Sequence, residues 1–139
     1  MKASRQSVDR LLRWSLLAGA AYFALVALAH TFGLKLPGLF IYFDLPSYAY
    51  QDQIIGFLCF GWSALFFAAA REPQAARPLV AAVLVVGLAA LVGLARINAG
   101  TDFASLTGAP QTGAYWLGCA AGLAYWTWLL GLFVRMRND

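Results

Sequence analysis

The sequence predicts an all-α integral membrane protein, a four-transmembrane-helix bundle with both termini cytoplasmic and an aromatic interfacial loop between helices 1 and 2. Three observations carry this prediction: the composition, the gaps between charges and the distribution of basic residues. Hydrophobic residues make up 62% of the 139 residues and charged residues only 12%. Soluble domains contain about a quarter charged residues, so an ordinary soluble domain is excluded.

Four charge-free stretches divide the chain. They lie between Arg13 and Lys35, between Asp52 and Arg71, between Arg77 and Arg96, and between Asp102 and Arg135. A hydrocarbon core of about 30 Å needs about 20 helical residues, which each stretch supplies. The stretches are solidly apolar and do not alternate, which favours helices over barrel strands. We expect spans at 12–34, 53–71, 78–97 and 113–134, in a single membrane domain covering 1–139.

The first span has one competing interpretation. Basic residues followed by an apolar run ending in Ala27-Leu28-Ala29 are also typical of a secretory signal peptide. The run is longer than the roughly 7–15 apolar residues of a signal-peptide core. A membrane span is therefore the expectation.

The basic residues are distributed unevenly between the two sides of the predicted membrane. One side holds Lys2, Arg5, Arg10, Arg13, Arg71, Arg77, Arg135 and Arg137, whereas the other holds only Lys35 and Arg96. The positive-inside rule therefore places both termini in the cytoplasm and the connections 35–52 and 97–112 outside. This bias, together with the anionic headgroups that it attracts, explains the isoelectric point of about 9.4. We expect an integral protein of a bacterial cytoplasmic (inner) membrane, with membrane lipids and no nucleic acid as partners.

The connections differ in character. The outer connection 35–52 is long and rich in aromatic residues, including Tyr48 and Tyr50, which suit the headgroup layer. We expect it to lie in the interface as a lid, with a re-entrant dip as the alternative. The connection 97–112 is expected to be a plain polar loop. The short link 71–78 predicts a tight hairpin with Pro78 in the first turn of the third span.

Small residues form stripes on three of the spans. Gly118 and Gly122 make a G-x-x-x-G pair in the fourth span, Gly56 aligns with Asp52, Cys59 and Ser63 in the second, and Gly93 aligns with Ala82, Ala89 and Arg96 in the third. Helices in lipid associate where small residues allow close approach. We expect these stripes to line the interior of the bundle, with contact to a second copy or a partner as the alternative.

Specific chemistry is poorly supported. His30 is the single histidine and cannot supply both axial ligands of a haem, and no ligand spacing indicates a metal site. We expect no cofactor and no metal. Cys59 and Cys119 are expected to be inert thiols, with a disulfide as the alternative if their faces meet. Every charged residue lies at or beyond a predicted span boundary, which disfavours a coupled transporter.

The outer face carries the candidate ligand-binding residues. They are His30, Asp44, Tyr48, Asp52, Arg96 and Asp102. A guanidinium at the end of an apolar helix requires a carboxylate or a phosphate. We expect Arg96 to pair with Asp52 or Asp102 as a structural staple; the alternative is an amphiphile with its head at Arg96 and His30.

The functional expectation follows from the absence of catalytic motifs. The sequence favours an accessory or assembly subunit of a larger membrane complex, with other membrane subunits or further copies of the chain as partners. A small membrane enzyme or binding protein for an amphiphilic, lipid-like ligand is the first alternative. An oligomeric channel or transporter is the second.

Overall fold

Four long helices make up most of the chain. The computed structural model describes residues 2–138, and side chains from 6 to 137; Lys2 and Arg5, which contribute to the predicted basic terminus, have side chains outside the described residues. The helices are α1 (Lys2–Thr31), α2 (Ala49–Arg71), α3 (Arg77–Gly100) and α4 (Thr112–Asn138). Each contains a stretch that is long and apolar enough to cross a membrane. The prediction of an all-helical chain with four helices long and apolar enough to span a membrane is confirmed.

Most helix ends depart from the predicted spans by a few residues, but α1 begins at Lys2, well before the predicted start at 12. α1 ends at Thr31 rather than 34, α2 begins at Ala49 rather than 53, and α3 continues to Gly100. Gly33 has a φ of 66°, and the N–H of Leu34 donates to Ala29 O at 2.8 Å. This is a Schellman termination, in which glycine adopts the left-handed conformation cheaply. Hydrogen bonds of this kind determine where a helix ends. The length of an apolar stretch indicates only which residues lie at the depth of the membrane.

The continuous core lies at one end of the bundle. We call this the terminal end, because α1 begins there, α4 ends there and the 72–76 connection lies there. We call the opposite one the loop end. The core draws on all four helices: Leu12, Leu16, Ala20, Phe66, Ala69, Ala70, Val80, Val83, Leu84, Leu129, Leu132 and Met136. Buried residues nearer the loop end, such as Ala29, Phe103 and Tyr115, are not part of this cluster.

Polar side chains inside the bundle donate to carbonyls of neighbouring helices. In lipid a donor without a partner is costly, and each of these bonds also joins two helices. The bonds are Ser63 Oγ to Ala20 O (2.8 Å), Tyr125 Oη to Ser15 O (2.7 Å) and Trp126 Nε1 to Leu84 O (2.7 Å). They connect α2 to α1, α4 to α1 and α4 to α3.

The α2 stripe faces the bundle at Gly56, and the α4 pair faces it at Gly122. A Cβ on Gly56 would lie 2.8 Å from Thr31 Oγ1, and one on Gly122 would lie 2.9 Å from Leu91 Cδ2. These two glycines therefore allow the close approach of α2 to α1 and of α4 to α3. Gly118 differs, because no atom lies within 4 Å of its Cβ position.

The α3 stripe faces away from the bundle, and the expectation for this helix was wrong. Ala82, Ala89 and Arg96 are exposed, and no atom lies within 4 Å of a Cβ on Gly93. The opposite side of α3 contacts α4, since a Cβ on Gly87 would lie 3.2 Å from the Trp126 ring. α3 carries small residues on both sides, so the small-residue pattern did not distinguish them.

Candidate functional site at the loop end

A lid formed by residues 32–48 folds back over the loop end. Its side chains and carbonyls form hydrogen bonds with residues of the helices and of the second connection. Tyr22 Oη donates to Gly38 O (2.9 Å), Tyr42 Oη to Asn98 Oδ1 (2.8 Å) and the backbone N of Gln111 to Asp44 Oδ2 (2.8 Å). Within the lid, Lys35 Nζ donates to Leu45 O at 2.6 Å. The lid therefore joins α1, α3 and the beginning of α4.

The second connection is not a plain polar loop, and that expectation was wrong. It contains a short 3₁₀ helix, Phe103–Ser105, in which Phe103 is only 5% exposed. The Phe103 ring lies 5.5 Å from that of Tyr42 and 5.1 Å from that of Tyr115. The lid supplies the aromatic surface that buries Phe103. The residues next to Phe103 in the sequence do not indicate this burial.

His30 and Asp52 form a buried pair between α1 and α2. Their exposed fractions are 8% and 7%, and Nδ1 of His30 lies 3.4 Å from Oδ1 of Asp52. Ser47 Oγ donates to the other carboxylate oxygen of Asp52 at 2.7 Å. The Phe40 ring stacks on the imidazole with centroids 3.6 Å apart. The lid thus covers this pair. Ser47 and Phe40 contact the pair and so hold the lid against α1 and α2.

Asp44 binds the lid to α4. Its carboxylate accepts hydrogen bonds from the Tyr115 hydroxyl and from the backbone N–H of Gln111. Desolvation opposes ionisation, but these two bonds outweigh it and lower the pKa of Asp44 below its ordinary value. Asp44 is therefore ionised at neutral pH. It accepts one hydrogen bond from Tyr115 on α4 and one from Gln111, the residue before α4.

The expected ion pair of Arg96 is not formed, which corrects the predicted staple. Among residues 6–137, the ion pair within 4 Å is that of His30 with Asp52. Asp52 already engages His30 and Ser47, whereas Arg96 and Asp102 are exposed. Which helix ends come together depends on packing between segments that are far apart in the sequence. The positions of the charges along the sequence carry no information on that packing.

The structure therefore divides the six predicted site residues into four groups. His30 and Asp52 lie together between α1 and α2, and Asp44 lies against α4. Tyr48 is 68% exposed and stacks on Tyr50 with centroids 5.8 Å apart. Arg96 and Asp102 are exposed. A single site that combines Arg96 with His30 has no support in these contacts.

Four further residues take part in the contacts at the loop end, and sequence reasoning did not include them among the candidate site residues. Phe40, Ser47, Gln111 and Tyr115 contact or bond the predicted residues. Tyr115 carried a partial signal, because it lies on the small-residue face of α4. The others are ordinary connection residues whose partners only the fold reveals.

The two cysteines are free thiols. Cys119 is buried and Cys59 is half-buried, and neither forms a disulfide. The amide Nδ2 of Asn98 donates to Cys119 Sγ at 3.3 Å. Cys119 thus contributes to the contact between α3 and α4, and the alternative of a disulfide with Cys59 is wrong.

The contacts of this site enable the lid to hold the ends of the four helices together. Carboxylates, hydroxyls and aromatic rings of the lid bond or stack on all four helices, so the lid clamps the loop end. No known protein family matches the chain, and neither a curated protein nor a solved structure matches it.

Proposed function

We propose that the protein is a non-catalytic accessory or assembly subunit of a larger membrane complex and docks through the outward face of α3. One observation carries the proposal. The stripe of Ala82, Ala89 and Gly93, which ends in Arg96, is turned away from α4. Small residues on a membrane-facing helix allow the backbone of another helix to approach closely. As part of the same proposal, the complex lies in a bacterial cytoplasmic membrane.

Arg96 adds an electrostatic argument. It lies about one turn before the end of α3 and is exposed, and no described carboxylate lies within 4 Å of it. An arginine at the centre of a bilayer costs about 2.5–3.5 kcal/mol on insertion scales, and the cost falls toward the interface. A carboxylate on a partner helix would compensate the guanidinium with paired hydrogen bonds.

The loop end supports a structural role for the rest of the molecule. Asp44 and Asp52 both accept hydrogen bonds from within the chain. The lid that they hold fixes the ends of the helices relative to one another. A rigid bundle presents a constant α3 surface, which favours specific docking.

The proposal is tested by gentle affinity purification from native membranes followed by mass spectrometry. Gly93→Leu would place a large side chain on the outward face of α3. Gly131→Leu is the matched control on α4, because both glycines are helical and have no atom within 4 Å of the Cβ position. We expect wild type and Gly131→Leu to retain a stoichiometric set of other subunits and Gly93→Leu to lose it.

Two other outcomes would overturn the proposal. A homo-oligomer without other subunits would favour the channel or transporter. A monodisperse particle that retains an amphiphile, and whose activity is lost in His30→Ala or Arg96→Ala, would favour the small enzyme or binding protein.

A further inference from the structure

An open depression lies at the terminal end, where α2 meets the 72–76 connection. Its volume is about 510 Å³, and its lining consists of Phe67, Ala68, Arg71, Glu72, Ala75 and Ala76. We call it the α2-end depression. Phe67 and Ala68 belong to an apolar stretch of α2 that is long enough to cross a membrane, and Arg71 is the last residue of that stretch. The depression therefore extends from the apolar part of α2 to the level at which the chain leaves the hydrocarbon.

Two charged side chains of opposite sign line the depression. Arg71 is the last residue of α2, and Glu72, the next residue, has φ −144° and ψ 82°, which lie outside the helical region. Both residues are exposed. Among the described residues, neither belongs to an ion pair within 4 Å, with the other or with a third residue, and neither side chain forms a hydrogen bond. A guanidinium and a carboxylate are therefore both available to a ligand in the depression.

The remaining described charges of the terminal end lie outside this lining. The other arginines there are Arg10, Arg13, Arg77, Arg135 and Arg137, and none of them lines the depression. Asp9 accepts a hydrogen bond from Gln74 Nε2 at 2.7 Å. A ligand in the depression therefore meets one cation and one anion. Glu72 would repel a purely anionic head and Arg71 a purely cationic one, so a head with both charges is the complementary group.

The lining also gives the two charges an order. Arg71 lies one helical turn beyond Phe67 and Ala68, and Glu72 follows it outside the helix. A zwitterionic phospholipid has the same order, with acyl chains, then a phosphate and then an ammonium group. Arginine binds phosphate with paired hydrogen bonds. A carboxylate accepts hydrogen bonds from a primary ammonium, which has three donors, whereas the quaternary ammonium of choline has none. An ethanolamine head therefore fits this lining better than choline.

We propose that the α2-end depression binds a phospholipid with an ethanolamine head, with its phosphate at Arg71, its ammonium at Glu72 and an acyl chain along Phe67 and Ala68. The proposal does not rest on the partner proposed for α3, because it uses none of the residues of that surface. It also does not depend on which side of the membrane the termini face.

The test uses the full-length protein in dodecyl maltoside, a detergent without charge or phosphate, and three photoreactive phospholipids. The probes carry the same diazirine acyl chain and differ in the head, which is ethanolamine, choline or glycerol. Crosslinked peptides are identified by mass spectrometry. We expect the ethanolamine probe to label 67–76 saturably and about three- to fivefold more than the other two, as for an exposed ion pair. Unlabelled phosphatidylethanolamine should compete, whereas glycerophosphoethanolamine, the same head without acyl chains, should not.

Two substitutions assign the two charges. Arg71→Gln removes the phosphate contact, so labelling by all three probes should fall about three- to fivefold. Arg135→Gln is the matched control, because Arg135 is exposed at the same end of the bundle but does not line the depression. Glu72→Gln removes the repulsion of anions, so the preference should shift from the ethanolamine probe to the glycerol probe. Asp102→Asn, which changes the net charge equally at the loop end, should keep the wild-type preference.

Equal labelling of 67–76 by the three probes in the wild type would overturn the proposal, because the head would then not be recognised. Even labelling along all four helices would do the same. Equal competition by the lipid and by glycerophosphoethanolamine would also overturn it, since the acyl chain would then contribute nothing. Label mapping on the wild type needs no substitution and decides the question even if a variant does not fold.

Discussion

The hydroxyl of Tyr115 donates a hydrogen bond to the carboxylate of Asp44 and so joins α4 to the lid. Tyr115 is fully buried, and its ring also contacts those of Tyr42 and Phe103, with centroids 5.0 and 5.1 Å away. One side chain therefore contributes a hydrogen bond to a charged acceptor and the centre of an aromatic cluster.

Tyr115→Phe should destabilise the protein while keeping the aromatic contacts. A hydrogen bond to a charged group contributes about 1.5–3 kcal/mol, and Asp44 would lose one of its two donors. Thermal unfolding in detergent measures the effect. Tyr50→Phe is the control, because Tyr50 is 61% exposed. Equal melting temperatures for the two variants would contradict the role of Tyr115.

The contribution of Asp44 should depend on pH with a defined sign. The pKa of Asp44 is lowered from 3.8 in the folded protein, so its carboxylate stabilises the closed lid above that value. The contribution is lost as the pH falls through the lowered pKa. The difference in melting temperature between wild type and Asp44→Asn should be constant from neutral to mildly acidic pH and shrink below about pH 4. A constant difference at every pH would refute this.

Gly56→Ala should weaken the contact between α1 and α2. The new Cβ would lie 2.8 Å from Thr31 Oγ1 and 3.3 Å from Ala27 O, and overpacking costs about 1–3 kcal/mol. Gly61→Ala is the control on the same helix, because no atom lies within 4 Å of its Cβ position. It should be neutral or stabilising by up to about 1 kcal/mol. Equal stability of the two variants would show that Gly56 is not a close contact.

The membrane orientation is tested by thiol labelling of intact cells with an impermeant maleimide. Cysteines would be placed singly at Ser47, Gln74 and Thr107 in a chain carrying Cys59→Ala and Cys119→Ala. Because basic residues concentrate on the side of the termini, positions 47 and 107 should be labelled and position 74 protected. The reverse pattern would show that the termini lie outside and would refute the predicted orientation.

The helices were predictable because bilayer thickness dictates the length of each apolar stretch. Four gaps between charges therefore located four helices, with errors of a few residues at their ends except at the start of α1, which begins at Lys2 rather than at 12. The orientation of α3 was not predictable, because Gly87 and Gly93 lie on different sides of it and both are small. Only the contact of Gly87 with Trp126 reveals which side meets α4.

The loop end was predictable as a collection of polar residues but not as a set of contacts. Asp44 and Tyr115 are 71 residues apart, and Tyr42 and Asn98 are 56 apart. Periodicity within one helix contains no information on such pairs. The expected pairing of Arg96 failed for this reason, since proximity along the predicted surface did not determine which carboxylate faces which cation.

These long separations impose an order on biogenesis. Asp44 bonds to Gln111 and Tyr115. These two residues leave the ribosome only after the first three helices have been synthesised. The α1–α2 hairpin, with Gly56 packed on Thr31, can assemble as soon as its two helices are in the bilayer. A chain arrested after α3 would consequently keep this hairpin and the hydrogen bonds of the lid to α1, α2 and α3. It would lack the two hydrogen bonds of Asp44, and their formation would report that the fourth helix has inserted.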